Sequence, residues 1–148
     1  MADRAAAQNE QYLEIMHTPN FRPAVAALAE GLGPVDMQTD FALLRQQLLN
    51  AGLAKYLPAL RAEFDEGDRR RREVEHCDTS AATPACAVGV RFLYQVLRAL
   101  PSQAVFVQLV WGFELASTDP LIVGVNLVQP EDWRASMENY RIDRKAHV

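Results

Sequence analysis

One run of apolar positions, Leu121-Ile-Val-Gly-Val-Asn126-Leu-Val128, carries a single interior polar side chain and ends on the polar cluster Gln129-Pro-Glu131-Asp132. Such a run predicts a strand buried on both faces, as in a parallel sheet. Val88-Gly-Val-Arg91-Phe-Leu-Tyr-Gln95-Val-Leu97-Arg98 predicts an earlier strand. Tyr12-Leu-Glu14-Ile-Met16 predicts a short first one, closed by His17-Thr-Pro19. Helical patterns lie between them. Phe21 to Gly31 has Pro23 in its first turn, where the missing N–H does no harm. After a Gly31–Pro34 turn, Met37, Phe41, Leu44 and Leu48 form an amphipathic stripe that Gly52 stops. Leu57, Leu60 and Phe64 begin a helix that becomes highly charged by Asp68. Cys77 to Ala87 reads as a loop. Pro101-Ser102 opens a further helix, with Ser102 as its cap and Val105, Phe106, Leu109, Val110 and Phe113 as its apolar stripe. The alanine-rich stretch from Ala2 to Glu10 reads as the end of a helix, and Trp133 to Val148 as a helix that turns polar at its end.

The order is therefore helix, strand, three helices, strand, helix, strand, helix, which is the α/β class with a parallel sheet. Strands are expected near 12–16, 88–98 and 121–128, with a helical insert at 21–76, in one incomplete domain over 1–148. The last two strands and the helix between them make a βαβ unit of about 40 residues, whose crossover is right-handed. Three parallel strands leave both sheet edges unpaired. A closed barrel of eight units needs about 250 residues, roughly 100 more than are present. A flavodoxin-like sheet needs about five strands, and only three are visible.

Composition narrows the partners. With 148 residues, 49% of them hydrophobic and 23% charged, the chain can build one core and is not disordered. A net charge of -4 argues against a dedicated nucleic-acid binder. No run reaches the roughly 18 apolar residues of a membrane span. Met1-Ala-Asp3-Arg4 lacks the apolar stretch of a secretion signal, but the sequence leaves the compartment open: cytoplasmic as the chain stands, exported if a complete protein carries a signal. Eight residues separate Cys77 from Cys86. That is not a zinc-knuckle spacing, and two reduced thiols are expected, with a disulfide as the alternative in an exported protein.

Three segments together resemble the adenosine deaminase family, in its bacterial and growth-factor-like branch. They are Ala5-Ala-Ala-Gln8-Asn9-Glu10-Gln-Tyr12-Leu-Glu14-Ile-Met16; Gly89-Val-Arg91-Phe-Leu-Tyr-Gln95-Val-Leu-Arg98; and Gly112-Phe-Glu114-Leu-Ala116 through Val123-Gly-Val-Asn126-Leu-Val-Gln-Pro130-Glu131-Asp132. The likeness spans about Ala5 to Tyr140. It implies a partial (β/α)8 TIM barrel of the metal-dependent hydrolase type, with these segments as the family's second, third and fourth strands. It also implies hydrolytic deamination of adenosine to inosine, with a zinc ion that activates water for attack on C6 of the purine. The family's zinc ligands are a His-x-His pair on the first strand, a His on the fifth and an Asp on the eighth. Its catalytic Glu lies in a His-Ala-Gly-Glu motif.

Neither motif occurs in these residues. The resemblance therefore implies an internal fragment, with zinc and a purine nucleoside belonging to the complete protein and no metal expected on this chain. The tail Arg141-Ile-Asp-Arg-Lys-Ala-His147-Val148 departs from the family's helix and reads as a truncated or frame-disrupted end. The family's fourth strand ends Asp-Leu-Ala-Gly-Asp-Glu, where the glycine backbone touches substrate; here Gln129 stands at the glycine position.

The candidate site residues follow from position. Ligands of parallel sheets bind beyond the carboxyl ends of the strands, which singles out Asn126, Gln129 and Glu131 for substrate; the competing role for Asn126 and Glu131 is capping of the next helix, in which Asp132 would share. Glu14, Arg91 and Arg98 are candidates for the barrel lumen, or else form ion pairs at the sheet rim. His17, His76 and His147 lack ligand spacing. Cys77 beside His76 does not easily share an ion with it, because neighbours on a helix diverge by about 100°. The run Asp68-Arg69-Arg70-Arg71-Arg72-Glu73 is flanked by acids and reads as a solvated helix face. Trp111 and Trp133 are expected to pack. A rival reading is a small non-enzymatic α/β interaction module that buries its open strand edges by self-association or against a complementary fragment.

Overall fold

The computed structural model describes residues 1–36 and 38–134. Met37, the expected helix from 135 onward and His147 lie outside the described residues. The chain runs α1 (Ala2–Ala7), β1 (Tyr12–His17), α2 (Arg22–Ala29), α3 (Phe41–Asn50), α4 (Leu57–Val74), β2 (Gly89–Leu97), α5 (Ser102–Thr118) and β3 (Ile122–Val128). Single 3-10 turns occupy Leu53–Tyr56 and Pro84–Ala87. The fold is α/β, with one parallel sheet in the order β1-β2-β3. No described helix is long and apolar enough to cross a membrane.

Local chemistry sets the element ends. The Asp40 carboxylate accepts the Leu43 N–H at 3.0 Å, so α3 starts at Phe41. Gly52 follows α3 at φ +87°, a left-handed conformation that glycine adopts without steric cost. Pro23 and Pro58 sit in the first turns of α2 and α4, as helix starts allow.

Alternation decides which face of the sheet is covered. On β2, Val90, Phe92, Tyr94 and Val96 are buried, whereas the residues between them are only half-buried. α4 covers the buried face through Phe64, whose ring lies 5.5 Å from Phe92 and 6.2 Å from Tyr94. α5 covers it through Gly112, where an added Cβ would lie 2.9 Å from Val125 Cγ2 and 3.0 Å from Tyr94 Cδ1. Glycine is what lets that helix approach so closely. Across the α5–α3 side, the fully buried Trp111 donates its indole N–H to the Leu53 carbonyl at 3.1 Å. On the other face of β1, Tyr12, Glu14 and Met16 are exposed.

Several sequence expectations need correction. β3 is not buried on both faces: Val123 is 45% and Leu127 53% exposed. It is an edge strand, and a slip in register beside Phe92 and Leu93 leaves Val123 unmatched, so that Ile122 and Val125 pair with Phe92 and Tyr94. An apolar run records what a strand can bury, not what covers it. The buried side of α5 is Ala104, Val107, Gln108, Val110, Trp111, Gly112 and Leu115; of the expected stripe Val110 is buried, Val105, Phe106 and Leu109 pack half-buried against the core, and Phe113 is 64% exposed. Both sides of that helix are apolar, and the small residues mark the sheet side. Ser102 is not the cap. Pro101 holds that position, and the Ser102 hydroxyl accepts the Val35 N–H at 2.9 Å. Trp133 is exposed rather than packed.

Cys77 and Cys86 form a disulfide rather than two reduced thiols. After α4 ends, His76 takes φ +56° and reverses the chain. The Pro84–Ala87 turn then returns it, and the two Cα atoms stand 5.4 Å apart. Thr83 fastens the same loop, its hydroxyl donating to the Glu75 carboxylate at 2.8 Å and its N–H to the Glu75 carbonyl at 3.1 Å.

Candidate functional site at the open sheet face

Strand register builds a mixed polar surface on the face away from α4 and α5. Tyr12, Glu14 and Met16 of β1 stand beside Gly89, Arg91 and Leu93 of β2. Leu93, Gln95 and Leu97 stand in turn beside Gly124, Asn126 and Val128 of β3. Leu93 leans over Gly124, where a Cβ would lie 3.1 Å from its Cδ2. Tyr12 donates its hydroxyl to Glu14 Oε1 at 3.1 Å. The Arg91 guanidinium donates to the Val90 carbonyl at 2.8 Å, and among the described residues no carboxylate lies within ion-pair distance of it.

The polar groups gather toward the carboxyl ends of the strands. Thr18 donates its hydroxyl to Gln95 Oε1 at 2.7 Å. The Asn126 amide reaches across β2 to Met16 Sδ at 3.0 Å. Gln129, just past β3, is half-buried, and Glu131 is exposed in the turn that follows. Asn126 therefore joins Glu14 and Arg91 on one surface. Arg98 does not. It follows Leu97 on the opposite alternation and lines a cavity with Val35, Phe41, Ser102 and Phe106 on the α3–α5 side.

Beneath the sheet a second polar group sits among aromatic rings. His17 packs edge-on against Phe64, with ring centroids 4.9 Å apart, and its Nε2 lies 3.6 Å from Glu63. Glu63 accepts the Asn20 N–H at 3.0 Å. The Tyr94 hydroxyl is buried with no hydrogen-bond partner among the described residues. Burial, and secondarily the charge on Glu63, push its phenol well above the ordinary tyrosine range.

Sequence reasoning missed Gln95, Thr18 and Glu63 as members of these clusters. Thr18 and Gln95 are 77 positions apart, so only pairing of β1 with β2 brings them together. The alternation Arg91, Leu93, Gln95, Leu97 was the one available signal for Gln95.

The donors present do not fit the zinc centre that the family resemblance implies. No three His, Cys, Asp or Glu side chains converge among the described residues. His17 turns its Nε2 to Glu63, and Cys77 is held in a disulfide. Three of the four arginines in the run on α4 are also committed: Arg69 pairs with Glu66 and Glu73, Arg71 with Asp68 at 2.9 Å, and Arg72 with Asp78.

Comparison with protein-family models, with curated proteins and with solved structures finds no match for this chain.

Proposed function

We propose that this chain is part of the wall of a larger (β/α)8 barrel of the adenosine deaminase type, and that alone it does not deaminate adenosine. The supporting observation is the winding. Three parallel strands follow one another in sequential order, and the helices packed on the sheet lie on one face. A doubly wound sheet carries helices on both faces. A barrel keeps them outside and turns the other face inward. Glu14, Arg91, Gln95 and Asn126 then belong to the lumen. Asn126 and Gln129, at the carboxyl end of β3, supply amide donors and acceptors to a purine nucleoside. No hydrolytic step is assigned to these residues, because the metal donors and the acid–base glutamate of the family belong to other strands. The Cys77–Cys86 disulfide favours an oxidising compartment.

The chain is tested by incubation with adenosine and zinc, with chromatographic detection of inosine, alongside reading of the DNA on both sides of its coding sequence. No inosine is expected, together with codons for His-x-His upstream and His-Ala-Gly-Glu downstream. Zinc-dependent turnover by this polypeptide contradicts the inactivity. Flanking sequence without either motif contradicts the barrel.

A second reading, a non-enzymatic α/β module that associates through its strand edges, draws on a different observation. β1 and β3 are each paired on one side only, and Phe113, Val123 and Leu127 of α5 and β3 are exposed. Such an edge pairs with another copy or with a complementary fragment.

A further inference from the structure

We propose that the open sheet face is a docking surface for a second copy of this chain, stacked face to face about a two-fold axis that runs parallel to the strands between β1 and β2. The proposal concerns the face rather than the strand edges, and it holds for the chain on its own, since a completed barrel of the deaminase-like reading would enclose this face.

Charge selects the arrangement. Glu14 and Arg91 are register partners on neighbouring strands, and both lie on the open face. A two-fold axis along the strands and midway between them places β1 of one copy opposite β2 of the other. Each Glu14 then meets the other copy's Arg91. An axis across the strands at the same level sets Glu14 against Glu14 and Arg91 against Arg91, which like-charge repulsion disfavours. The surface is thus complementary to itself in one orientation and repulsive in the other.

The neighbouring side chains agree with that orientation. Met16, 57% exposed, comes to lie against Leu93 of the second copy. Tyr12, 50% exposed, leans over Gly89 of its own chain, where an added Cβ would lie 3.4 Å from its Cδ2, so the two copies' Tyr12 rings meet across the axis. These apolar contacts supply the attraction, and the charge pairs fix its direction. The overlap of two short strands measures only about 10 by 20 Å. A standard stable interface buries roughly 1,200–2,000 Å². The dimer is accordingly weak, forms at high protein concentration and loosens with added salt.

Analytical ultracentrifugation of the full chain tests this through charge exchange. Five samples are compared: the parent, Glu14→Arg, Arg91→Glu, an equimolar mixture of those two, and the double variant. Circular dichroism confirms that each is folded. Dimerisation of the parent is expected at high micromolar concentration, with each single variant about tenfold weaker or more. The mixture and the double variant should recover it, because both restore opposite charges across the axis. If one single variant fails to fold, the parent, the other single variant and the double variant still decide the matter. A parent chain that stays monomeric up to about 1 mM overturns the proposal. So does a dimer indifferent to the single exchanges, which places the contact on the strand edges, and so does exchange without recovery.

Discussion

The two faces of the sheet are built from the same strands and do opposite things. The face under α4 and α5 alternates Val90, Phe92, Tyr94 and Val96 into a closed aromatic and aliphatic layer. The other face alternates Arg91, Leu93, Gln95 and Leu97 with Glu14, Met16 and Asn126, and no described helix layer crosses it. The difference shows that hydrophobic content alone does not set burial. Leu93 and Met16 are as apolar as Val96, yet coverage depends on where the crossover helices fall. Stability should therefore come from one face, and recognition from the other.

The largest test of that division is a pair of truncations. Trp111→Ala, beneath the covered face, should cost about 3–5 kcal/mol in urea denaturation. Met16→Ala, on the open face, should change stability by no more than about 0.5 kcal/mol in dilute protein. Comparable losses at both positions would erase the distinction.

Next in size is the staple in the loop between α4 and β2. Replacing both Cys77 and Cys86 with serine should lower stability by about 2–3 kcal/mol, since the disulfide closes a short loop that the unfolded chain would otherwise leave open. Reductant should move the parent's denaturation midpoint to that of the variant and leave the variant's midpoint unchanged.

Two glycines sharpen the comparison further. Gly112→Ala places a Cβ 2.9 Å from Val125 Cγ2, so about 1–3 kcal/mol should be lost to displaced neighbours. Gly67→Ala on α4 meets only Phe92 Cζ at 3.5 Å, an ordinary contact. There the better helix propensity of alanine should add about 0.5–1 kcal/mol. Thermal melts of the two variants should shift in opposite directions.

The smallest effect is silent at neutral pH. Tyr94 has its phenol raised in the folded state, so the fold favours the neutral form. Its contribution is complete below the unfolded tyrosine pKa of about 10 and is lost as pH rises beyond it. In an ultraviolet titration Tyr94 should ionise last, together with unfolding. Early ionisation of Tyr94 would mean that its cavity admits water.

The order of strands and helices was legible because each element carries its own signal: Pro23 at a helix start, Gly52 after α3, and the apolar strands. Coverage was not legible. The phase of α5 was legible at Val110 but not beyond it, because Val105, Phe106 and Leu109 are as apolar as the residues that pack on the sheet; Ala104 and Gly112, small enough for close approach, were the discriminating clue. The disulfide escaped because it needs the turn at His76, a long-range consequence of where α4 ends. Strand register sets Asn126, Glu14 and Arg91 on one surface. Arg98 was misplaced because one residue of alternation moves a side chain to the other face. The His17–Glu63 contact joins β1 to α4 across 46 positions, and no local pattern encodes it.

Hydroxyl-radical footprinting of the dilute chain, read residue by residue by mass spectrometry, measures one-sided coverage directly. Met16, Tyr12 and Leu93 should oxidise readily, whereas Phe92, Tyr94 and Trp111 should stay protected until the chain unfolds. Equal protection of Met16 and Tyr94 would contradict a sheet with one open face.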